Sequence, residues 1–203
     1  MKLKDKITNF LETGTSSWTD EPVIRAPTKG NPVFLELLEQ HKELLNYHNV
    51  TTFFECGTYN GNNAGDFSNA FDKVITVESD IDRYRASAVA HIDKKNITFL
   101  HGDGATELKS YLIKNPDERM VILLDDHVGY VSFISQELGV LQNNSNVDHI
   151  IIVDDADKLG KGAYPLYEEI VKLIDIMNKD YTILQSEHKL LIFVPTNNTN
   201  EVK

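Results

Sequence analysis

Cysteine is nearly missing: Cys56 is the only one, which rules out an internal disulfide and any zinc site built on cysteines. Long apolar runs are missing too. The opening MKLKDKITNF has no hydrophobic centre of a secretory signal, and no stretch approaches the roughly 20 apolar residues of a membrane-spanning helix. The cytoplasm is therefore the expected compartment, and no membrane partner is expected. Positive charge is scarce, with 20 Lys and Arg against 31 Asp and Glu and a formal net charge of −11. No basic cluster exceeds two or three residues, so nothing favours nucleic acid or anionic lipid as a partner. The tight Gly-x-Gly-x-x-Gly spacing of a dinucleotide-binding turn is also absent.

What is present is enough for one domain with a real core: 203 residues, 41 % of them hydrophobic. Residues 1–30 are polar and irregular around Trp18 and read as an arm or lid. A single domain is expected over 31–197 and a frayed tail over 198–203. Asn31-Pro32 suits a helix start, with Phe34, Leu37, Leu38, His41 and Leu45 on one face. From Thr51 strand-like runs alternate with helix-like ones. The strands are 51–55, 74–78, 97–103, 121–126 and 149–155. The helices are 62–71, 80–92, 105–114, 131–141 and 165–178. Continuously apolar strands separated by helices imply a parallel sheet covered on both faces. The runs 181–187 and 189–195 are too close for a crossover helix, so they must form an antiparallel hairpin. The expected fold is a three-layer α/β, Rossmann-like architecture with a seven-stranded, mostly parallel sheet.

The chain is organised around TTFFECGTYNGNNAG, residues 51–65. Here a strand ends at Glu55, and Gly57 and Gly61 let backbone turn and let a ligand lie close before a helix begins. Each later strand also ends in acid: Glu78, Asp103, Asp125-Asp126-His127, Asp154-Asp155. In an open parallel sheet, ligands bind beyond the carboxyl ends of the strands. Five strands thus deliver carboxylates to one rim, where cations or hydrogen-bond donors must meet them. Glu78 can accept from two ribose hydroxyls. Asp103, followed by Gly104, can take an adenine amine, and Asp125 can face a cationic amine. Cys56 reads as a small buried residue.

From about residue 50 to 195 the chain resembles the class I S-adenosylmethionine-dependent methyltransferases. FFECGTYNG resembles their glycine motif, VESD their ribose acid and HGDG their adenine-side motif, and the closing hairpin is also theirs. The resemblance implies Glu55, Gly57, Tyr59, Gly61, Glu78, Asp103, Gly104 and Asp125 as cofactor residues. It implies methyl transfer to a small-molecule acceptor, through an oxygen nucleophile. LLDDHVG and IIIVDDADKLG resemble a subgroup that includes the metal-dependent O-methyltransferases, with an acid after the fourth strand and a pair after the fifth. That subgroup likeness implies Mg²⁺ on Asp125, Asp154 and Asp155. A divalent ion there would bind the acceptor hydroxyl and lower its pKa. Val128 stands where catechol O-methyltransferase carries its basic lysine, so His127 is the candidate base, ahead of Lys158 and Lys161. Asp155 or Asp157 can alternatively cap the turn into Gly160. Two other readings share the scaffold: a cofactor-binding regulatory protein without catalysis, and a different nucleoside-binding enzyme. Oligomeric state is open, with a homodimer among the options.

Overall fold

The computed structural model describes residues 33–186 and 188–196. The expected arm, the Asn31-Pro32 helix start and the C-terminal tail lie outside them. Five strands run parallel: β1 (Thr52–Cys56), β2 (Lys73–Glu78), β3 (Ile97–His101), β4 (Met120–Leu124) and β7 (Ile150–Val153). A short ribbon, β5 (His127–Val128) with β6 (Val131–Ser132), stands apart, and β8 (Thr182–Ser186) and β9 (Lys189–Phe193) close the sheet antiparallel. The sheet order is β3-β2-β1-β4-β7-β9-β8. The expected seven-stranded sheet with its antiparallel end is therefore what the chain forms.

Alternation along each strand divides the core into two halves. Phe54, Cys56, Ile75, Val77, Ile122 and Leu124 face one side, against α5 (Gly104–Lys114), α6 (Ile134–Asn144) and α7 (Tyr167–Met177). Phe53, Val74, Val121, Leu123 and Ile152 face the other, against α1 (Val33–Gln40), α2 (Lys42–Leu45) and α3 (Asn62–Phe67). Phe53 stacks on Phe67 with ring centroids 3.7 Å apart and Phe71 leans on both. Burying each such ring stabilises the fold by about 2–3 kcal/mol. α4 (Ile81–Ala90) packs on β2 and β3 and begins at Asp80, whose carboxylate accepts from the Asp82 and Arg83 N–H groups. The edge strands β3 and β8 are only half covered.

Beyond shifts of a residue or two at strand and helix ends, three features differ from the pattern reading. The segment after β4 does not enter a helix at 131, because Val131-Ser132 pairs back on His127-Val128 around Gly129, at φ +60°. The helix after the glycine motif is only six residues long. His41 interrupts the first helical face, splitting it into α1 and α2. The chain moves outward from β1 to β2 and β3, then returns to β1's other flank as β4. That reversal opens a crevice between the carboxyl ends of β1 and β4, the place where such sheets hold ligands.

Candidate active site

A cleft of about 560 Å³ lies at this reversal point. Its base is made where β1 meets β4. Gly57 turns at φ +96°, and a Cβ there would lie 2.4 Å from the Asp125 carbonyl oxygen, so only glycine lets the two strand ends approach. The Gly57 and Thr58 N–H groups both donate to the Val77 carbonyl, at 3.1 and 3.0 Å, tying the loop to β2. Tyr59 follows in the left-handed region, at φ +47°. That strained backbone aims its N–H at Glu78 Oε2, 2.8 Å away, while the Asp80 N–H donates to Oε1 at 2.9 Å. Glu78 is thereby fixed as an acceptor at the cleft wall with only 6 % of its surface exposed. Arg83, from the first turn of α4, stacks on the Tyr59 ring at 5.0 Å and also lines the cleft.

Across from Glu78 stand Asp125 and Asp126. Burial, then the negative charge of Asp154, pushes the Asp125 carboxyl well above its usual range, with Glu55, Asp155 and Glu137 adding to it. Asp126 is raised less, again by burial first and by Glu78 and Asp103 next. Beneath them Glu137 of α6 is fully enclosed, with neither carboxyl oxygen hydrogen-bonded and the Cys56 thiol beside it. Burial lifts its pKa to about 8. Cys56 itself is enclosed and its thiol is pushed up by burial, which fits a packing residue and not a nucleophile.

The third wall follows β7. Asp155, like Tyr59, is a non-glycine residue in the left-handed region, at φ +56°. Its Oδ2 accepts from Lys158 Nζ at 2.7 Å and from the Tyr164 hydroxyl at 2.9 Å, with His127 Nε2 at 3.7 Å. Burial raises its pKa, but Lys158 and Tyr164 outweigh that and leave it below the usual carboxylate value. Asp154 Oδ1 lies 3.7 Å from Nζ of Lys189, whose side chain is 9 % exposed and sits over the Phe34 ring. Among the described residues, the group with atoms close enough to share a cation is Asp125, His127 and Asp155, all within 4.8 Å of one another.

Of the residues expected from the sequence, the cleft wall brings together Gly57, Tyr59, Glu78, Asp125, His127, Asp154 and Asp155. Four others stand elsewhere. Glu55 was expected to touch cofactor; strand alternation instead places it on the Phe53 face, fully buried, with Oε2 accepting from Thr76 Oγ1 at 2.6 Å. Burial lifts its pKa to about 8. Asp103 caps α5, Oδ1 accepting from the Thr106 N–H at 2.8 Å. Gly104 lies against Asp126, Glu137 and Cys56, where a Cβ would come within 3.1 Å of each. Gly61 supports the loop from below, against the His91 ring. Sequence reasoning missed Arg83, Tyr164 and Lys189. Arg83 carried a signal, one turn into the helix after the ribose acid; Lys189 carried none, since its arrival at this rim depends on strand direction.

No protein-family model and no curated sequence matches the chain. Solved structures do match. A candidate O-methyltransferase from Klebsiella pneumoniae superposes with a TM-score of 0.59 at 15 % identity, over 94 % of this chain and 88 % of that one. The O-methyltransferase TomG of Streptomyces achromogenes, involved in tomaymycin synthesis and solved with SAM, gives 0.57 at 13 %, over 81 % and 80 %. A candidate methyltransferase of Streptococcus mutans, solved with SAH, gives 0.54 at 12 %, over 82 % and 99 %. The fold is the methyltransferase fold. At these identities the likeness is one of architecture, and the placement of the cleft follows from that architecture. No helix among the described residues is long and apolar enough to cross a membrane.

Proposed function

We propose that this chain transfers a methyl group from S-adenosylmethionine to a small-molecule acceptor, through an acceptor oxygen. The observation that carries the reading is Glu78. A nearly buried carboxylate, oriented by two backbone N–H groups, stands at the cleft wall one strand away from a glycine turn that admits close contact. Its remaining acceptor capacity suits a pair of ribose hydroxyls. The cofactor supplies a methyl carbon made electrophilic by its sulfonium. Asp125, facing the same space, suits the ammonium of the cofactor's amino-acid end, and that positive charge would oppose the rise in its pKa that burial and Asp154 cause.

The protein's contribution to the transfer is mainly placement of the two reacting atoms. His127 is half exposed at the cleft mouth with Nε2 toward Asp155 at 3.7 Å. Asp155 thus biases the imidazole's orientation and leaves Nδ1 to take the acceptor's proton. The sequence also implied Mg²⁺ on Asp125, Asp154 and Asp155. Two of those three carboxylates, Asp155 and Asp154, already face an ammonium.

The decisive experiment is isothermal titration of the full chain with S-adenosylmethionine, S-adenosylhomocysteine, adenosine and NAD. It is paired with detection of S-adenosylhomocysteine formed over a panel of hydroxylated acceptors. Saturable S-adenosylmethionine binding with turnover is expected. Binding without turnover on any acceptor would favour a regulatory cofactor-binding protein, and adenosine or NAD binding alone would favour a different nucleoside enzyme.

A further inference from the structure

We propose that Lys158 and Lys189 are the resident cations of this site, neutralising Asp155 and Asp154 where a divalent ion would otherwise be needed, so that the chain works without one. Lys189 opens β9, and β9 runs antiparallel to β7, so the first residue of one strand arrives beside the carboxyl end of the other. Its ammonium is enclosed between Asp154 and the Phe34 ring. A lysine with that little solvent is retained where a carboxylate meets it. Lys158 reaches back three residues to Asp155 across the short turn Ala156–Lys158, and Tyr164 donates to the same oxygen. The left-handed backbone of Asp155 holds that carboxylate in the turn.

The donor set is a poor one for a hard divalent ion. Such an ion favours several free carboxylate or carbonyl oxygens and water. Here Asp155 Oδ2 already has two donors, and Asp154 is not among the residues that converge with Asp125. The convergent third group is the imidazole of His127, which Mg²⁺ seldom chooses. An ion placed among Asp125, His127 and Asp155 would also lie close to the Lys158 ammonium, which repels it. Each of the two acids after β7 has its own ammonium without it. Lys158 answers Asp155 and Lys189 answers Asp154, leaving Glu78, Asp125 and Asp126 for a cationic ligand. Lys158 lines the cleft, so its ammonium also stands where an acceptor oxygen gains negative charge as its proton leaves.

The part of this inference that concerns ion binding is independent of the methyl-transfer reading; the part that concerns turnover rests on it. Titrating the full chain with Mn²⁺ alone, followed by electron paramagnetic resonance, tests the first. Wild type should show no saturable site below about 1 mM, because an ammonium fills the cation position. Lys158→Met, which frees Asp155 from a partly exposed position, should bind Mn²⁺ at least about 10-fold more tightly, the scale on which such neighbouring groups alter metal affinity. Lys158→Arg should behave as wild type, and Lys189→Met, if it folds, should move in the same direction as Lys158→Met. A stoichiometric high-affinity Mn²⁺ site in wild type, or no gain in Lys158→Met, overturns the proposal. S-adenosylmethionine titration in EDTA is the separate control. Loss of cofactor binding with and without metal would sink the methyl-transfer reading and leave the Mn²⁺ result standing. Binding or turnover restored only by a divalent ion would sink the present one.

Discussion

Replacing Gly57 by alanine tests the geometry on which the site depends. The new Cβ would lie 2.4 Å from the Asp125 carbonyl oxygen, 2.8 Å from its carbon and 3.1 Å from the Asp126 nitrogen. All three are backbone atoms, so relief requires β1 and β4 to part at their carboxyl ends. Over-packing of this kind costs about 1–3 kcal/mol. The residue's φ of +96° adds roughly 1–2 kcal/mol for any L side chain. A total of about 2–5 kcal/mol should lower the urea midpoint by about 1–2 M, taking an m-value of roughly 2–3 kcal/mol/M. Gly61→Ala is the internal control. Its φ is +74°, but the atoms it meets are the His91 ring and the Ser87 Cβ at 3.0–3.3 Å, and a side chain can shift. It should lose roughly 1–2 kcal/mol, mostly from backbone strain. Chemical denaturation of the three proteins decides the matter. If Gly57→Ala is no less stable than Gly61→Ala, the two strands do not meet as described, and the crevice between them loses its physical basis.

Glu78→Gln should weaken S-adenosylmethionine binding by about 10-fold or more in calorimetry, since hydrogen bonds to a charged acceptor are worth roughly 1.5–3 kcal/mol; unchanged affinity would remove Glu78 from the ribose. Glu137→Gln should stabilise the protein at pH 8 relative to pH 4.5. The wild-type carboxyl titrates at about 8 when folded, so its stabilising contribution is complete below the unfolded value near 4.5 and is lost as pH rises through 8. The loss amounts to roughly 3–5 kcal/mol. Parallel denaturation curves for both proteins at the two pH values would contradict this. His149 is fully buried, Nδ1 accepting from the Met120 N–H and Nε2 meeting Ser145 Oγ, and burial lowers its pKa to about 4. The folded form therefore resists a proton that the unfolded chain takes up near pH 6.5. The contribution of His149 should fall by about 3 kcal/mol as pH drops from 6.5 to 4. It is read as the stability difference between wild type and His149→Gln, because Glu55 and Glu137 shift both proteins the opposite way; a difference independent of pH would refute the assignment.

Much of the fold was legible because the physics that produces it is local. A strand buried on both faces must be continuously apolar, as in VITVE and HIIIV, and a helix lying on it must repeat every three to four residues. The two-residue link between β8 and β9 left no room for anything but a hairpin. The glycine turn was legible for the same reason, since a left-handed backbone restricts the residue that can occupy it. The ribbon around Gly129 was not. Its two pairs of residues form no periodic pattern, and what holds it in place is tertiary: Ala163 against Val131 and Tyr130, and His127 toward Asp155.

Strand-terminal acids identified the rim from the sequence, because every parallel strand ends on the same side. The sequence could not say which of those acids face ligand. Glu55 and Glu78 both lie at the ends of strands and on the same face of the sheet. Register, however, sets Glu55 beside Thr76 within the core and leaves Glu78 one residue beyond the last β1–β2 pair, where the Tyr59 N–H holds it at the cleft. Nor could it say which charges are already answered. Lys189 sits 35 positions after Asp154, and only the reversed direction of β9 brings its ammonium to that carboxylate. Local pattern determined the elements, their order and the acidic lip. Tertiary packing alone decided which carboxylates are free, since electrostatic pairing depends on distances that sequence separation does not encode.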